Sequence, residues 1–201
     1  MSAIGLNVSR ETQQRLELFV ELLEKWNSKI NLVSRNSLNE VWTRHVLDSV
    51  QVFQAADRHG RWVDMGSGGG LPGLIIAILS AELAPLNTVT MIESDIRKCS
   101  FLRTVLRETG ITGHVVSRRI EGTPPQQADV LSARALTDLS RLLAFSDLHL
   151  KPDGVAIFSK GSSWRDEVAQ AEEQWNFDWE AITSTTDPQA VILKIQGVVR
   201  V

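Results

Sequence analysis

Between residues 63 and 73 the chain reads VDMGSGGGLPG, with five glycines and one proline in eleven positions. Glycine loses more conformational freedom on folding than any other residue. So glycine-rich a loop is explained where the backbone needs positive φ, or where something must come close to bare main chain. The apolar run before it, RWVDM (61–65), reads as a short strand, and LPGLIIAILSAEL (71–83) after it reads as a helix. Gly66, Gly68 and Gly70 permit a tight turn with no side chain projecting toward a ligand. Pro72 suits the first helical turn, where its missing N–H is not needed, and the helix N-terminus offers free N–H groups to an anionic group.

From residue 61 onward strand and helix patterns alternate. Strands are expected at TVTMIES, GHVVS, ADVLSA and GVAIFSK, with helices at DIRKCSFLRTVLRET, LTDLSRLLAFSDLHL and WRDEVAQAEEQW. This alternation predicts βαβ units and a mainly parallel sheet with helices on both faces. The last two strand-like runs, FDWEAITST and QAVILKIQGVV, are joined too closely for a parallel crossover and predict a hairpin with one antiparallel strand. Upstream, Ser9 caps an amphipathic helix over 9–27, and a second helix is expected over 37–55 with RHVLDS in its middle. Residues 1–57 thus read as a helical extension packed on an α/β domain of residues 58–201.

Bulk properties narrow the class. No apolar run approaches the roughly 20 residues of a membrane-spanning helix. The N-terminus lacks the basic-then-apolar layout of a secretory signal, and the single cysteine, Cys99, excludes an internal disulfide or a cysteine-rich metal site. A cytoplasmic protein without a metal is expected. Net charge is −3, but residues 121–201 hold 7 basic and 12 acidic side chains against 14 and 12 in residues 1–120. A polyanion would have to meet the first two-thirds of the chain.

In an open α/β sheet, ligands bind beyond the carboxyl ends of the strands, where the loop at 66–72 lies. Gly68 to Gly73 satisfies G-x-G-x-x-G, a weak signal alone. Asp64 adds more: a carboxylate there opposes a pyrophosphate but can orient an ammonium group, and Glu93 at the end of the second strand can accept from both hydroxyls of a ribose. The alternative is that Asp64 caps a turn and Glu93 the helix near Asp95. The pattern apolar-Asp-apolar-Gly-x-Gly-x-Gly is similar to the first motif of Rossmann-like, class I S-adenosylmethionine-dependent methyltransferases.

NLVS (31–34), RHVLDS (44–49), DMGSGGGLPG (64–73), IES with RK (92–98), RIE (119–121), SARAL (132–136) and SKG (159–161) follow in order. Together they resemble the small-subunit ribosomal RNA guanine-N7 methyltransferases, the glucose-inhibited division protein B family. The resemblance implies methyl transfer from S-adenosylmethionine to N7 of a guanine in 16S rRNA near the decoding centre. It also implies cofactor contacts at Gly66, Leu71, Ile120, Glu121 and Arg134. Ile120 stands where the family often has alanine.

Guanine N7 has an in-plane lone pair and no proton, so no general base is expected. The Asn/Asp-Pro-Pro-aromatic segment typical of amine methylation is absent after the fourth strand, and Cys99 is misplaced for pyrimidine chemistry. On the substrate side, Arg44, His45 and Asp48 share one helix face. They read either as a salt bridge with a packed histidine or as a cover for the guanine pocket. Lys160 reads as a phosphate or base contact or as a solvated side chain. Arg118 and Arg119 are candidates for phosphate, the basic residues at 97, 98, 103 and 107 read as a solvated face, and Trp26 and Trp42 read as core. A ribosomal RNA or small-subunit partner and a monomer are expected. The rival readings are a methyltransferase acting on a small molecule or protein, and an RNA-binding assembly factor without turnover.

Overall fold

The computed structural model describes residues 5–57 and 60–201. Seven strands form one sheet: β1 (Arg61–Met65), β2 (Thr88–Glu93), β3 (His114–Ser117), β4 (Ala128–Arg134), β5 (Leu150–Lys160), β6 (Trp175–Thr183) and β7 (Val191–Arg200). Their order is β3-β2-β1-β4-β5-β7-β6. Every pairing from β3 through β5 is parallel, and β7 runs antiparallel to both β5 and β6. This is the expected Rossmann-like sheet with one antiparallel strand. The strand order reverses between β1 and β4, which puts a crevice at the carboxyl end of β1.

The helices are α1 (Arg10–Asn27), α2 (Arg35–Leu38), α3 (Leu47–Ala55), α4 (Gly73–Leu83), α5 (Ile96–Thr109), α6 (Leu139–His149) and α7 (Trp164–Glu172). Ser9 caps α1 as expected, its side chain accepting from Thr12 N. The predicted helix over 37–55 is a correction. Short α2 ends at Leu38, Val41–Val46 form a π-helical turn, and only then does α3 begin. The wide turn inserts one extra residue into the helical ladder and changes which side chains face the sheet. The four-residue steps of Trp42, Val46 and Val50 do not reveal it.

One face of the sheet is covered by α1, α3, α4 and α5, whose residues Leu16, Phe19, Leu23, Val50, Ile75, Phe101 and Leu102 share a buried core with Trp62 and Val130. Helices α6 and α7 cover the other face around Leu143, Phe158, Val168 and Leu193. The N-terminal helices thus contribute to the main core. The expected boundary after residue 57 meets Arg58 and His59, which lie outside the described residues. Trp26 and Trp42 pack against the core, and Trp26 lies 5.7 Å from Phe101 between ring centroids. Among the described residues no helix is long and apolar enough to cross a membrane.

Candidate active site

The glycine loop leaves β1 at the switch in strand order. Gly66, Gly68 and Gly70 adopt φ of +65°, +51° and +78°, the left-handed region that the sequence expected of them. A Cβ at Gly70 would lie 2.2 Å from Leu74 Cδ1, whereas one at Gly68 would meet nothing closer than Gly66 O at 3.7 Å. Packing therefore excludes a side chain at Gly70. Gly68 instead presents bare backbone to an open cleft.

That cleft has two lobes. The larger, about 730 Å³, is walled by Gly66–Gly69 and Leu71 on one side and by Ser37, Arg44, His45 and Arg134 on the other. The smaller, about 360 Å³, is lined by Glu93, Arg118, Arg119, Ile120 and Glu121. Gly66, Gly68, Lys98 and Ala135 border both lobes. The strand ends and the loop thus bring together Gly66, Gly68, Leu71, Glu93, Ile120, Glu121 and Arg134, as well as Arg44 and His45.

Glu93 is buried and already holds two backbone donors, accepting from Gly68 N at 2.9 Å and from Asp95 N at 2.8 Å. Its carboxylate ties the glycine loop to the entrance of α5 and still lines the smaller lobe. Capping of α5 itself falls to Asp95, which accepts from Arg97 N. Ile120 is buried in a short 3₁₀ turn, while Glu121 is exposed and pairs with Arg141 at 2.5 Å.

Asp64 is fully buried beneath the loop and lines neither lobe. Its Oδ1 accepts from Ser132 Oγ at 2.7 Å, and that hydroxyl accepts from Trp62 Nε1 at 3.0 Å. A Cβ on Gly73 would stand 2.7 Å from Asp64 Oδ2, so the carboxylate is packed against the start of α4. Burial pushes its pKa up to about 6, against the lowering pull of the nearby polar groups of Ser67, Ser132 and Gly73. In this geometry Asp64 braces the loop from below.

Arg134 separates two regions of the site. Its Nη2 donates to Arg44 O at 2.6 Å and to Asp48 Oδ2 at 3.0 Å, so β4 is clamped to the π turn and α3. His45 is buried, with Nε2 2.9 Å from Ser37 Oγ. Burial and, next, the charge of Arg134 lower its pKa to about 4, leaving a neutral imidazole near pH 7. The packed histidine is present, but the salt bridge joins Asp48 to Arg134 of β4 and not to Arg44, which lies 3.9 Å from Glu40; the same turn also walls the larger lobe.

Lys160 requires a correction. It was expected to meet phosphate, base or solvent, but its ammonium is buried, pairs with Glu167 Oε2 at 2.5 Å and donates to Thr137 O at 2.9 Å. Helix α7 brings Glu167 back over the end of β5, and a buried ammonium requires such a partner. Arg97 and Arg107 are exposed and pair with neighbouring carboxylates, as a solvated face would. Lys98, read with that face, instead borders both lobes.

Two features were given no role by the sequence reading. Leu32, Val33 and Ser34 line the larger lobe, although NLVS offered no chemistry to mark them. Ala135 has φ of +49°, an unusual conformation for a residue with a side chain, and it stands where both lobes meet. Only its place after Arg134 in SARAL hinted at a role.

Comparison with known proteins agrees with this geometry. Residues 12–192 match the GidB family, described as rRNA small subunit methyltransferase G. A Ribosomal RNA small subunit methyltransferase G from Ruegeria sp. (strain TM1040) is 57% identical, the match covering 98% of this chain and 97% of the relative. Its namesake in Paracoccus denitrificans (strain Pd 1222) is 43% identical, covering 96% of this chain and 98% of the relative. Among solved structures, a SAM dependent methyltransferase from Aquifex aeolicus shares the fold with a TM-score of 0.61 at 11% identity, covering 90% of this chain and 98% of that one. A methyltransferase from Geobacter sulfurreducens gives a TM-score of 0.60 at 13% identity, covering 96% and 98%. The chain belongs to the GidB family of small-subunit rRNA methyltransferases.

Proposed function

We propose that this methyltransferase transfers the methyl group of S-adenosylmethionine to N7 of a guanine in 16S rRNA, by direct in-line attack without a general base. The observation that carries this reading is a two-lobed cleft with bare backbone at its centre, whose buried carboxylate, Glu93, already accepts two backbone N–H groups. Cleft and cofactor fit. The open space beside Gly68 admits a bulky group against the main chain, and the smaller lobe offers Glu93 and the apolar face of Ile120 to an adenosine. Gly66, Leu71, Glu93, Ile120, Glu121 and Arg134 would hold the cofactor, with Asp64 bracing the loop.

S-adenosylmethionine, when bound, supplies a methyl group made electrophilic by a sulfonium. The protein's part is to position a nucleobase and exclude water. His45 is a poor base because its conjugate acid, with a pKa lowered to about 4, gives up its proton readily. Asp48 is engaged by Arg134, and both oxygens of Glu93 accept backbone N–H groups. None of these hinders attack by guanine N7, which has no proton to lose. Exocyclic amines, which must lose one, are served poorly.

The test is to incubate the protein with donor labelled in its methyl group and small subunits from cells lacking this gene. Label recovered as 7-methylguanine in 16S rRNA is the expected result. Label in another base, in protein or nowhere would overturn it.

A further inference from the structure

On the far side of Arg134 from the glycine loop lies another cavity, of about 240 Å³. Its floor is the carboxyl ends of β4 and β5, at Arg134 and Ser159, and the start of antiparallel β7, which meets them at the same sheet edge. Its roof is α3, through Asp48 and Gln51, together with the loop between β6 and β7. Arg134 and Ala135 border this cavity and the larger lobe alike.

Three of its lining residues each keep one buried polar atom without a hydrogen-bond partner: Gln51 Nε2, Arg134 Nη1 and Ser159 Oγ. These are three of the seven such side-chain atoms among the described residues. Folded proteins pair nearly all buried polar groups, so three unpaired ones around one cavity call for a partner. Two of the side chains that carry them, Gln51 and Arg134, are held in place. Gln51 Oε1 accepts from Thr185 N at 2.8 Å, Asp48 accepts from Thr186 Oγ1, and Arg134 Nη2 is fixed on Asp48. The buried cations are also balanced, Arg134 by Asp48 and Lys160 by Glu167. A neutral, polar ligand therefore suits the cavity better than an anion.

We infer that this cavity receives the target guanine, with Gln51 Nε2 and Arg134 Nη1 donating to O6 and Ser159 Oγ accepting from N1–H. The inference rests on the guanine-N7 reading above and extends it to recognition. In guanine, O6 lies beside N7 on the same edge. Donors on O6 leave the N7 lone pair unblocked, and the wall that Arg134 and Ala135 share between cavities puts that edge next to the cofactor lobe. Adenine has an amino group in place of O6 and would set N–H against N–H. A site built to satisfy polar groups rejects a ligand that leaves them unpaired.

Two variants test this. Gln51→Glu keeps an oxygen for Thr185 N–H but replaces the donating amide with an acceptor, while Ser159→Ala removes one hydroxyl. Calorimetric donor affinity should stay within about twofold of the parent for both, because neither residue lines the cofactor lobes. On unmethylated small subunits, kcat/KM should fall roughly tenfold for Ser159→Ala and on the order of a hundredfold for Gln51→Glu. On subunits carrying adenine at the methylated position, Gln51→Glu should narrow the preference for guanine, a change that mere loosening of the fold would not produce. Parent-like rates in both variants, or losses that track donor affinity, would overturn the assignment. Should Gln51→Glu fail to fold, Ser159→Ala decides alone. A parent enzyme that methylates no guanine would instead sink the underlying reading.

Discussion

The glycine wall at Gly66–Gly69 and the helical wall at Ser37–His45, tied down through Asp48, face one cleft, yet the first is made of main chain and the second of side chains. The glycine wall owes its shape to positive φ and to the lack of Cβ atoms. The helical wall owes its shape to a π turn, a His45–Ser37 contact and the clamp between Arg134 and Asp48. A backbone surface presents the same outline whatever the neighbouring side chains do. A surface of paired side chains holds only while each partner is present, so the two walls should fail in different ways.

Arg134 is the sharpest place to break the helical wall, since one guanidinium holds the π turn, α3 and the edge of the target-side cavity. Arg134→Leu strands Asp48 without its cation and should cost about 1–3 kcal/mol in chemical denaturation. It should also lower methyl transfer on the order of a hundredfold, through loss of positioning. On the glycine wall, Gly70→Ala sets a Cβ 2.2 Å from Leu74 Cδ1 at a φ of +78°. Destabilisation should again be about 1–3 kcal/mol. Here donor affinity should weaken together with stability, because Gly70 sits inside the loop whose backbone on either side forms the cofactor wall. Calorimetry on the two variants separates the walls: Arg134→Leu should weaken donor binding and damage transfer further still, whereas Gly70→Ala should damage both alike.

The walls should also answer pH with opposite signs. Asp64, beneath the glycines, has its pKa raised to about 6, so the folded state takes up its proton before the unfolded chain does. The cost of its buried charge is present in full above pH 6 and is relieved as pH falls toward the ordinary carboxylate range. Asp64→Asn should remove that relief, which is roughly 1–3 kcal/mol. His45 on the helical wall has its pKa lowered to about 4, so the unfolded chain protonates first. Its neutral burial supports the fold above pH 6.5 and that support is lost as pH falls toward 4. His45→Gln should therefore flatten a loss on acidification where Asp64→Asn flattens a gain. Tm measured from pH 7 to pH 4.5 on both variants checks the signs. A common sign would show that one of the two groups is not buried as described.

The same contrast explains what was legible in the sequence. Gly66, Gly68 and Gly70 carry their requirement in their identity, because few other residues accept those backbone angles. The strand–helix alternation likewise showed the parallel sheet, and the short join before β7 showed its antiparallel strand. Side-chain walls are built from partners distant in sequence. Nothing near Arg134 in the chain announces Asp48, and nothing near Asp64 announces the Ser132 hydroxyl that turns it downward. The π turn stayed hidden because Trp42, Val46 and Val50 keep the four-residue steps of an ordinary helix, which masks the five-residue step from Val41 to Val46. Gln51 and Ser159 stayed hidden because single polar residues in a helix and a strand carry no signal until the fold brings them to one cavity.

The smallest expected effect concerns two lysines that the sequence could not rank. Lys160 stands at the end of β5 and Lys98 on the first turn of α5, both at the ligand edge of the sheet. Lys160 is spent on Glu167 and the Thr137 carbonyl, whereas Lys98 borders both lobes with no carboxylate partner among the described ion pairs. A cation already neutralised inside the protein releases no counterion when RNA docks. Lys98→Gln should therefore reduce the slope of log affinity against log salt by up to about one, with little change in Tm. Lys160→Met should leave that slope unchanged and lower Tm, because Glu167 would lose its buried partner. Filter binding to 16S rRNA across a salt series reads both, and a Lys160→Met slope as shallow as that of Lys98→Gln would show that the ammonium leaves Glu167 to meet the phosphate backbone.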